Sequence, residues 1–308
     1  MLRLKNKRIV VLGASGRIGF DLCQKLAPEN EVIGIARFRD AQREQALREM
    51  GVETFQIDFA TEDFDPVPDD ADWLFIQVAY QHGAEQHPEL AEAINVHLPA
   101  RAMMYFRGVQ GVVFASTGNV YGLPGRVVTE KDREAPIGVY SLTRYAGEQV
   151  VKFFCREFNV PTLILRYFYG NDERYGIVKK IAEALLKGEL PPVWMGTQVN
   201  AIAHEELVER TLRAAPHARV PAMVMNLTSS KPYPLEKIID LVAEELGIEA
   251  PALDRIEERE QMTPGRLYAD SRSSARANAH SAWANREKGL LRFAHGLRKG
   301  INQCGSLA

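Results

Sequence analysis

Seven residues near the amino terminus, Gly13-Ala14-Ser15-Gly16-Arg17-Ile18-Gly19, constrain this chain more than any other stretch. They join an apolar β-type run at 8–12 to a segment with helical spacing at 17–27. Three glycines at such a junction meet three physical needs: a tight turn, close backbone approach to a pyrophosphate, and close packing of helix on strand. The free N–H groups of the helix start then face the pyrophosphate. The spacing, G-x-x-G-x-x-G, predicts a dinucleotide site built from Gly13, Ser15, Gly16, Arg17, Ile18 and Gly19. An ordinary glycine-rich turn does not explain three evenly spaced glycines there.

Further β-rich runs at 31–36, 52–57, 72–79 and 110–116 alternate with helical patterns at 41–50 and 89–106. Near-continuous apolar strands separated by helices mean a parallel sheet buried on both faces. The expected fold is therefore α/β: a doubly wound parallel Rossmann-like sheet with a smaller C-terminal α/β substrate region. Pro99 predicts a kink in the helix at 89–106. A further buried strand at 162–168 follows the long helical stretch 140–158. After about residue 170 the rhythm breaks into helical segments at 178–187, 205–214 and 235–246, with 224–227 as a candidate further strand. The expected division is residues 1–170 for NAD(P) binding and 171–308 mainly for substrate binding, with about 200–230 returning to the first unit.

Charge and cysteine usage narrow the class. Lys plus Arg number 38 against 40 Asp plus Glu, a net charge of −2. A chain so near neutrality does not present the electrostatic footprint of a nucleic-acid or membrane-surface binder. Cys23, Cys155 and Cys304 are odd in number and lack metal-ligand spacing, which points to a reducing, cytoplasmic setting. No apolar run approaches the length of a bilayer span, and the basic-then-apolar start at 1–13 is too short for a secretion signal. His82 and His87 have no companion ligands, so no metal site is expected.

The end of the second strand is where such folds read the cofactor's adenosine ribose. An acid there accepts from the 2′-hydroxyl of NAD. This chain has Arg37, whose guanidinium instead grips a 2′-phosphate, with Arg39 and Arg17 as helpers. That reading favours NADP and leaves NAD as the alternative. Asp58 and Phe59 after the third strand fit an adenine contact, and Val78 and Ala79 at the end of the fourth complete the cofactor cleft.

The fifth strand runs into Ser116-Thr117-Gly118-Asn119-Val120-Tyr121-Gly122, followed by Tyr140-Ser141-Leu142-Thr143-Arg144. Together with the glycine loop, Asp58, Asn95 and Leu165-Arg166-Tyr167-Phe168, this resembles the extended short-chain dehydrogenase/reductase family, specifically its epimerase/dehydratase branch, over residues 8 to about 230. The resemblance implies that Thr117 hydrogen-bonds the substrate oxygen, with Ser116 as a candidate second donor. It implies that Tyr140 is the acid/base phenol and that Asn95 shapes the active-site helix. The chemistry is self-consistent, since a ketone being reduced needs hydride on carbon and a proton on oxygen, and a phenol beside a positive charge can supply the proton. The family has lysine where this chain has Arg144, which keeps the charge and shares a helix face with Tyr140 but cannot readily release a proton.

Relatives acting on nucleotide sugars carry arginines for the diphosphate near 199–203 and near Pro264. Here Asn200 and Thr263 stand at those places, with Arg266, Arg272 and Arg276 as candidate substitutes, and the segment Phe168-Tyr169-Gly170 lacks the usual asparagine. The expected function is NADP-dependent hydride transfer on a small molecule with a carbonyl or secondary alcohol. The alternatives are a nucleotide-sugar epimerase/dehydratase that returns the hydride to the same molecule, and a nonenzymatic NADP sensor. By resemblance the protein is expected to be a homodimer.

Overall fold

The computed structural model describes residues 4–122, 126–172, 174–189, 198–229 and 232–249. Cys304, Thr263, Pro264, Arg266, Arg272 and Arg276 lie outside the described residues. Seven strands form one parallel sheet: β1 (Arg8–Leu12), β2 (Glu31–Ala36), β3 (Glu53–Gln56), β4 (Trp73–Ile76), β5 (Gly111–Thr117), β6 (Thr162–Tyr167) and β7 (Met223–Leu227). Their order is β7-β6-β5-β4-β1-β2-β3, so the winding reverses between β1 and β4. That crevice, at the carboxyl ends of the strands, is where open α/β sheets place their ligands.

The period of two in β1 assigns its residues to two cores. Ile9 and Val11 join one apolar cluster with Leu22 and Cys23 of α1 (Arg17–Leu26), and Leu47 of α2 (Ala41–Glu49) belongs to it too. Val10 and Leu12 join the other, which contains Ala102 and Phe106. The sheet is thus covered on both faces, which explains why its strands read as unbroken apolar runs.

The expected helix at 89–106 is three pieces: α3 (Pro88–Glu92), a π-helical turn Ala93–His97, and α4 (Leu98–Tyr105). Pro99, the second residue of α4, has no N–H to give the carbonyl four residues back, so the irregularity falls in the preceding turn rather than at the proline. Packed against α4 runs α5 (Val139–Glu157). The run at 72–79 is strand only to Ile76, because Gln77 to Ala79 leave the sheet toward the crevice.

Beyond β6, α6 (Ile177–Leu186) and α8 (Leu235–Leu246) form a separate cluster through Val178, Ile181, Leu185, Ile238, Ile239 and Val242, an i, i+3, i+4, i+7 stripe on each helix. Between them, α7 (His204–Ala214) packs on α1 through the first core. No helix among the described residues is long and apolar enough to cross a membrane.

Candidate active site

The glycine loop turns as its spacing requires. Gly13 has φ +86°, and its N–H donates to the Ile35 carbonyl at 2.8 Å, tying the loop to β2. A Cβ on Gly19 would lie 2.2 Å from the Gly13 carbonyl oxygen, so α1 can start this close to β1 only with glycine there. Gly16 caps α1 without a side chain, leaving the first N–H groups of the helix open toward the crevice. This cradle fits the diphosphate of a dinucleotide. Ser15 gives its carbonyl to Arg43 at 2.9 Å.

A cavity of about 590 Å³ continues from this loop along the strand ends, lined by Arg17, Ile18, Ala79, Thr117, Tyr140 and Arg144 among others. The structure therefore brings together the residues of the glycine loop and those of the two distant motifs. Thr117, at the end of β5, caps the following turn by accepting from Asn119 N–H at 3.2 Å. Tyr140 is half-buried in the first turn of α5.

Arg144 is 1% exposed, and its Nη1 donates to the Val78 carbonyl at 3.0 Å and to Asn95 Oδ1 at 3.4 Å. Its guanidinium carbon stands 4.7 Å from the centroid of the Phe114 ring, and its Nε has no partner. Burial pushes this guanidinium below its usual range, opposed by the nearby Tyr140, Glu148 and Tyr167. The pocket accounts for the residue type: a planar, weakly hydrated cation can reach two carbonyl-type acceptors and lie on an aromatic face, which a compact ammonium does less well.

Asn95 lies in the π-helical turn and is fully buried. It accepts from Tyr80 N–H at 2.9 Å and donates to the Tyr80 carbonyl at 3.0 Å and to Thr143 Oγ1 at 2.9 Å. It thus joins the strand-four loop to α5 from behind the cavity rather than from within it.

The other expected site residues have the following surroundings. Ser116 lines the cavity, and its hydroxyl donates at 2.5 Å to buried Glu148, which also accepts from Arg166 Nε at 2.9 Å and Nη2 at 2.6 Å. Arg17 and Arg37 lie in different surroundings. It faces the cavity, stacked 4.4 Å over the ring of Tyr175, whereas Arg37 is exposed at the end of β2. Asp58 uses Oδ1 to cap its own loop at Ala60 N–H, 3.1 Å away. Phe59 is a core residue, 4% exposed and packed on Phe64. Val78 meets the site through its carbonyl, and Ala79 lines the cavity. His82 also lines it, but no cluster of metal-binding side chains exists among the described residues.

Residue-type reasoning missed Gln77, Tyr167, Tyr175, His204 and Asp21. The Tyr167 hydroxyl is bonded to Thr211 Oγ1 at 3.0 Å and to Gln77 Oε1 at 3.3 Å, and burial pushes its pKa well above that of a free phenol. Tyr167 stands in the segment Leu165-Arg166-Tyr167-Phe168, which by itself assigns it no role, and only its strand-end position signals Gln77.

Residues 9–233 match the model described as the NAD dependent epimerase/dehydratase family. The uncharacterized UDP-glucose epimerase YtcB of Bacillus subtilis (strain 168) is 28% identical over 184 residues, 54% of this chain and 58% of that protein. A putative UDP-glucose 4-epimerase of Methanocaldococcus jannaschii is 23% identical over 282 residues, 85% of this chain and 89% of the relative. Among solved structures, UDP-glucuronic acid 4-epimerase from Bacillus cereus with UDP-glucuronic acid and NAD superposes with a TM-score of 0.80 at 18% identity, covering 95% of this chain and 99% of the other. UDP-N-acetylglucosamine 4-epimerase from Methanobrevibacter ruminantium M1 gives 0.82 at 19% identity, with 97% and 100% coverage. The glycine cradle, the Thr117–Tyr140 wall and the family match over more than two thirds of the sequence agree, and the chain belongs to the NAD dependent epimerase/dehydratase family, an NAD(P)-dependent enzyme of the extended short-chain dehydrogenase/reductase type.

Proposed function

We propose that this enzyme is an epimerase/dehydratase-type catalyst acting on a nucleotide sugar, in which hydride leaves a secondary alcohol carbon and is returned to the same molecule. The carrying observation is that Thr117, Tyr140 and Arg144 share a cavity with Arg17 and Ile18 of the glycine loop. The naming of relatives as UDP-glucose epimerases supports this over net ketone reduction. When bound in the cradle of Gly13, Gly16 and Gly19, a nicotinamide dinucleotide supplies the hydride acceptor and donor.

The Thr117 hydroxyl holds the substrate oxygen, and the Tyr140 phenol takes and returns its proton. Arg144 stabilises the negative charge on the phenol oxygen as that proton moves, held in place by Val78 and Asn95. Because guanidinium keeps its proton, the proton is exchanged by Tyr140 alone. The α6–α8 cluster forms the substrate lobe. A homodimer is supported by Leu142 and Phe153, eleven residues apart on one stripe of α5, which are 56% and 55% exposed, and by Met104 on α4.

A second reading, net oxidoreduction with NADP, is favoured by Arg37 at the ribose-reading strand end. The deciding experiment incubates the protein with UDP-glucose or UDP-galactose and catalytic NAD, and follows the sugar by proton NMR. Interconversion without net cofactor consumption, lost in Tyr140→Phe, is expected. Turnover of a ketone with stoichiometric NADPH consumption and no sugar interconversion would replace this reading by the second.

A further inference from the structure

Arg17 opens α1, yet its side chain leaves the glycine loop and stacks on Tyr175, in the loop before α6. Both residues line the cavity that holds Thr117 and Tyr140. Tyr175 is fixed in place: its hydroxyl is 2.7 Å from His204 Nδ1, and His204 Nε2 is 2.6 Å from Asp21 Oδ2. The two rings also meet edge to face, with centroids 5.5 Å apart and planes at 84°. His204 is 3% exposed. Asp21 lies four residues after Arg17 on α1, so the chain of contacts closes on the helix from which it began.

The charges of this cluster are unevenly matched. Asp21 is engaged by His204 and by Arg174 at 3.1 Å, and Arg174 is also held by Asp172. Lys179 is paired with Glu183. Arg17 and Lys180 face the cavity with no ion pair among the described residues. The segment expected to neutralise a diphosphate offers no cation: Asn200 is 1% exposed, and its Nδ2 turns inward to the Ser229 carbonyl at 3.4 Å. Among the described residues, Arg17 and Lys180 rather than that segment offer positive charge to an anion bound in this part of the cavity. A guanidinium held over the face of an aromatic ring still has N–H donors for the paired hydrogen bonds that suit phosphate oxygens.

We infer that Arg17, seated on Tyr175 and assisted by Lys180, is the receptor for a phosphate-class anion of the substrate. On the nucleotide-sugar reading above, on which the identity of the ligand rests, that anion is the sugar nucleotide's diphosphate. Tyr175, His204 and Asp21 act as positioning residues. The cofactor's own diphosphate has the same chemistry, but the backbone N–H groups of the loop already serve it.

Calorimetric titration of the NAD-saturated protein with UDP and with inorganic pyrophosphate tests this, beside titration of the cofactor-free protein with NAD. Arg17→Met is expected to raise Kd for both UDP and pyrophosphate at least about tenfold, the loss of a charge-assisted hydrogen-bond pair. Kd for NAD should stay within about threefold. Lys180→Met, at an exposed position that does not threaten folding, should weaken both anions by a smaller factor. Tyr175→Leu, which removes the platform, should resemble Arg17→Met more closely than Tyr175→Phe does. Unchanged anion affinity in Arg17→Met overturns the inference, as does failure of the parent to bind either anion. Loss of NAD affinity with UDP and pyrophosphate unaffected also overturns it, by giving Arg17 to the cofactor. Arg17-dependent pyrophosphate binding without UDP binding would keep the anion receptor and discard the nucleotide-sugar reading.

Discussion

Replacing Glu148 by glutamine tests what holds the floor of the site. Its carboxylate is wholly buried and accepts three charge-assisted hydrogen bonds, from Ser116 Oγ, Arg166 Nε and Arg166 Nη2. Arg166 is itself buried, stacked 4.7 Å over the Tyr121 ring, whose phenol is pushed up to about 12, mainly by burial. In the sheet register Ser116 pairs with Arg166 and Thr117 with Tyr167, so this network sits one residue before Thr117 on β5. Glutamine keeps one acceptor but turns an amide NH₂ toward a guanidinium. Breaking one partner of a buried pair costs about 3–5 kcal/mol. Glu134 remains on Arg166 and sets the expectation at the lower end, about 3 kcal/mol. At roughly 2–4 °C per kcal/mol for a chain of this size, Tm should fall by about 6–12 °C. Urea unfolding followed by circular dichroism measures the loss. The double variant Glu148→Leu/Arg166→Met, which removes both charges together, should recover most of it. A Glu148→Gln protein within about 0.5 kcal/mol of the parent would show that the network is not what stabilises the β5–β6 strand ends.

Other expectations follow from single contacts. Burial is the largest single influence on the Glu134 carboxyl and raises it, but the hydrogen bond from Arg166, a backbone N–H and the charges of Arg166 and Lys152 together outweigh this and hold it below its usual value. Its stabilising contribution is therefore full above the unfolded carboxyl pKa, near 4.3, and is lost as pH falls through the folded value; the stability gap between parent and Glu134→Gln should close in acid and stay constant near neutrality. Gly19→Ala places a Cβ 2.2 Å from the Gly13 carbonyl and should abolish dinucleotide binding by fluorescence titration, whereas Gly108→Ala, with nothing within 4 Å, should leave it intact. Arg37→Ala should cost about tenfold or more in NADP(H) affinity and leave NAD(H) nearly unchanged; equal loss of both would remove Arg37 from the ribose site. Phe153→Glu should shift sedimentation toward monomer, and an unchanged sedimentation coefficient would reject α5 as the dimer face.

The fold was legible because its signals are local and repeated. The alternation in β1 and the i, i+3, i+4, i+7 stripe of α8 are each imposed by one element facing a core. The glycine loop and Tyr140 were legible for a different reason: their residue types have few other uses at that spacing. For Ser116 the sequence shows a hydroxyl beside Thr117 but not its buried partner, since Glu148 lies 32 residues further along the chain on α5. For Arg17 the sequence shows a cation at the helix start but not Tyr175, 158 residues further along the chain, over whose ring the guanidinium lies.

The π-helical turn at Ala93–His97 connects the one legible irregularity to the chemistry. A proline in a helix leaves the carbonyl four residues earlier without its donor, and for Pro99 that residue is Asn95. The chain answers by widening the turn that contains Asn95, and the Asn95 side chain is then bonded to Tyr80, Thr143 and Arg144 at once. Three of the cavity's supports, the loop after β4, the first turns of α5 and the buried guanidinium, converge on that one amide. Pro99 is therefore part of what fixes Arg144 although it lies outside the cavity. A regular helix through 93–97 would turn Asn95 by a fraction of a turn and leave Nη1 of Arg144 with the Val78 carbonyl alone.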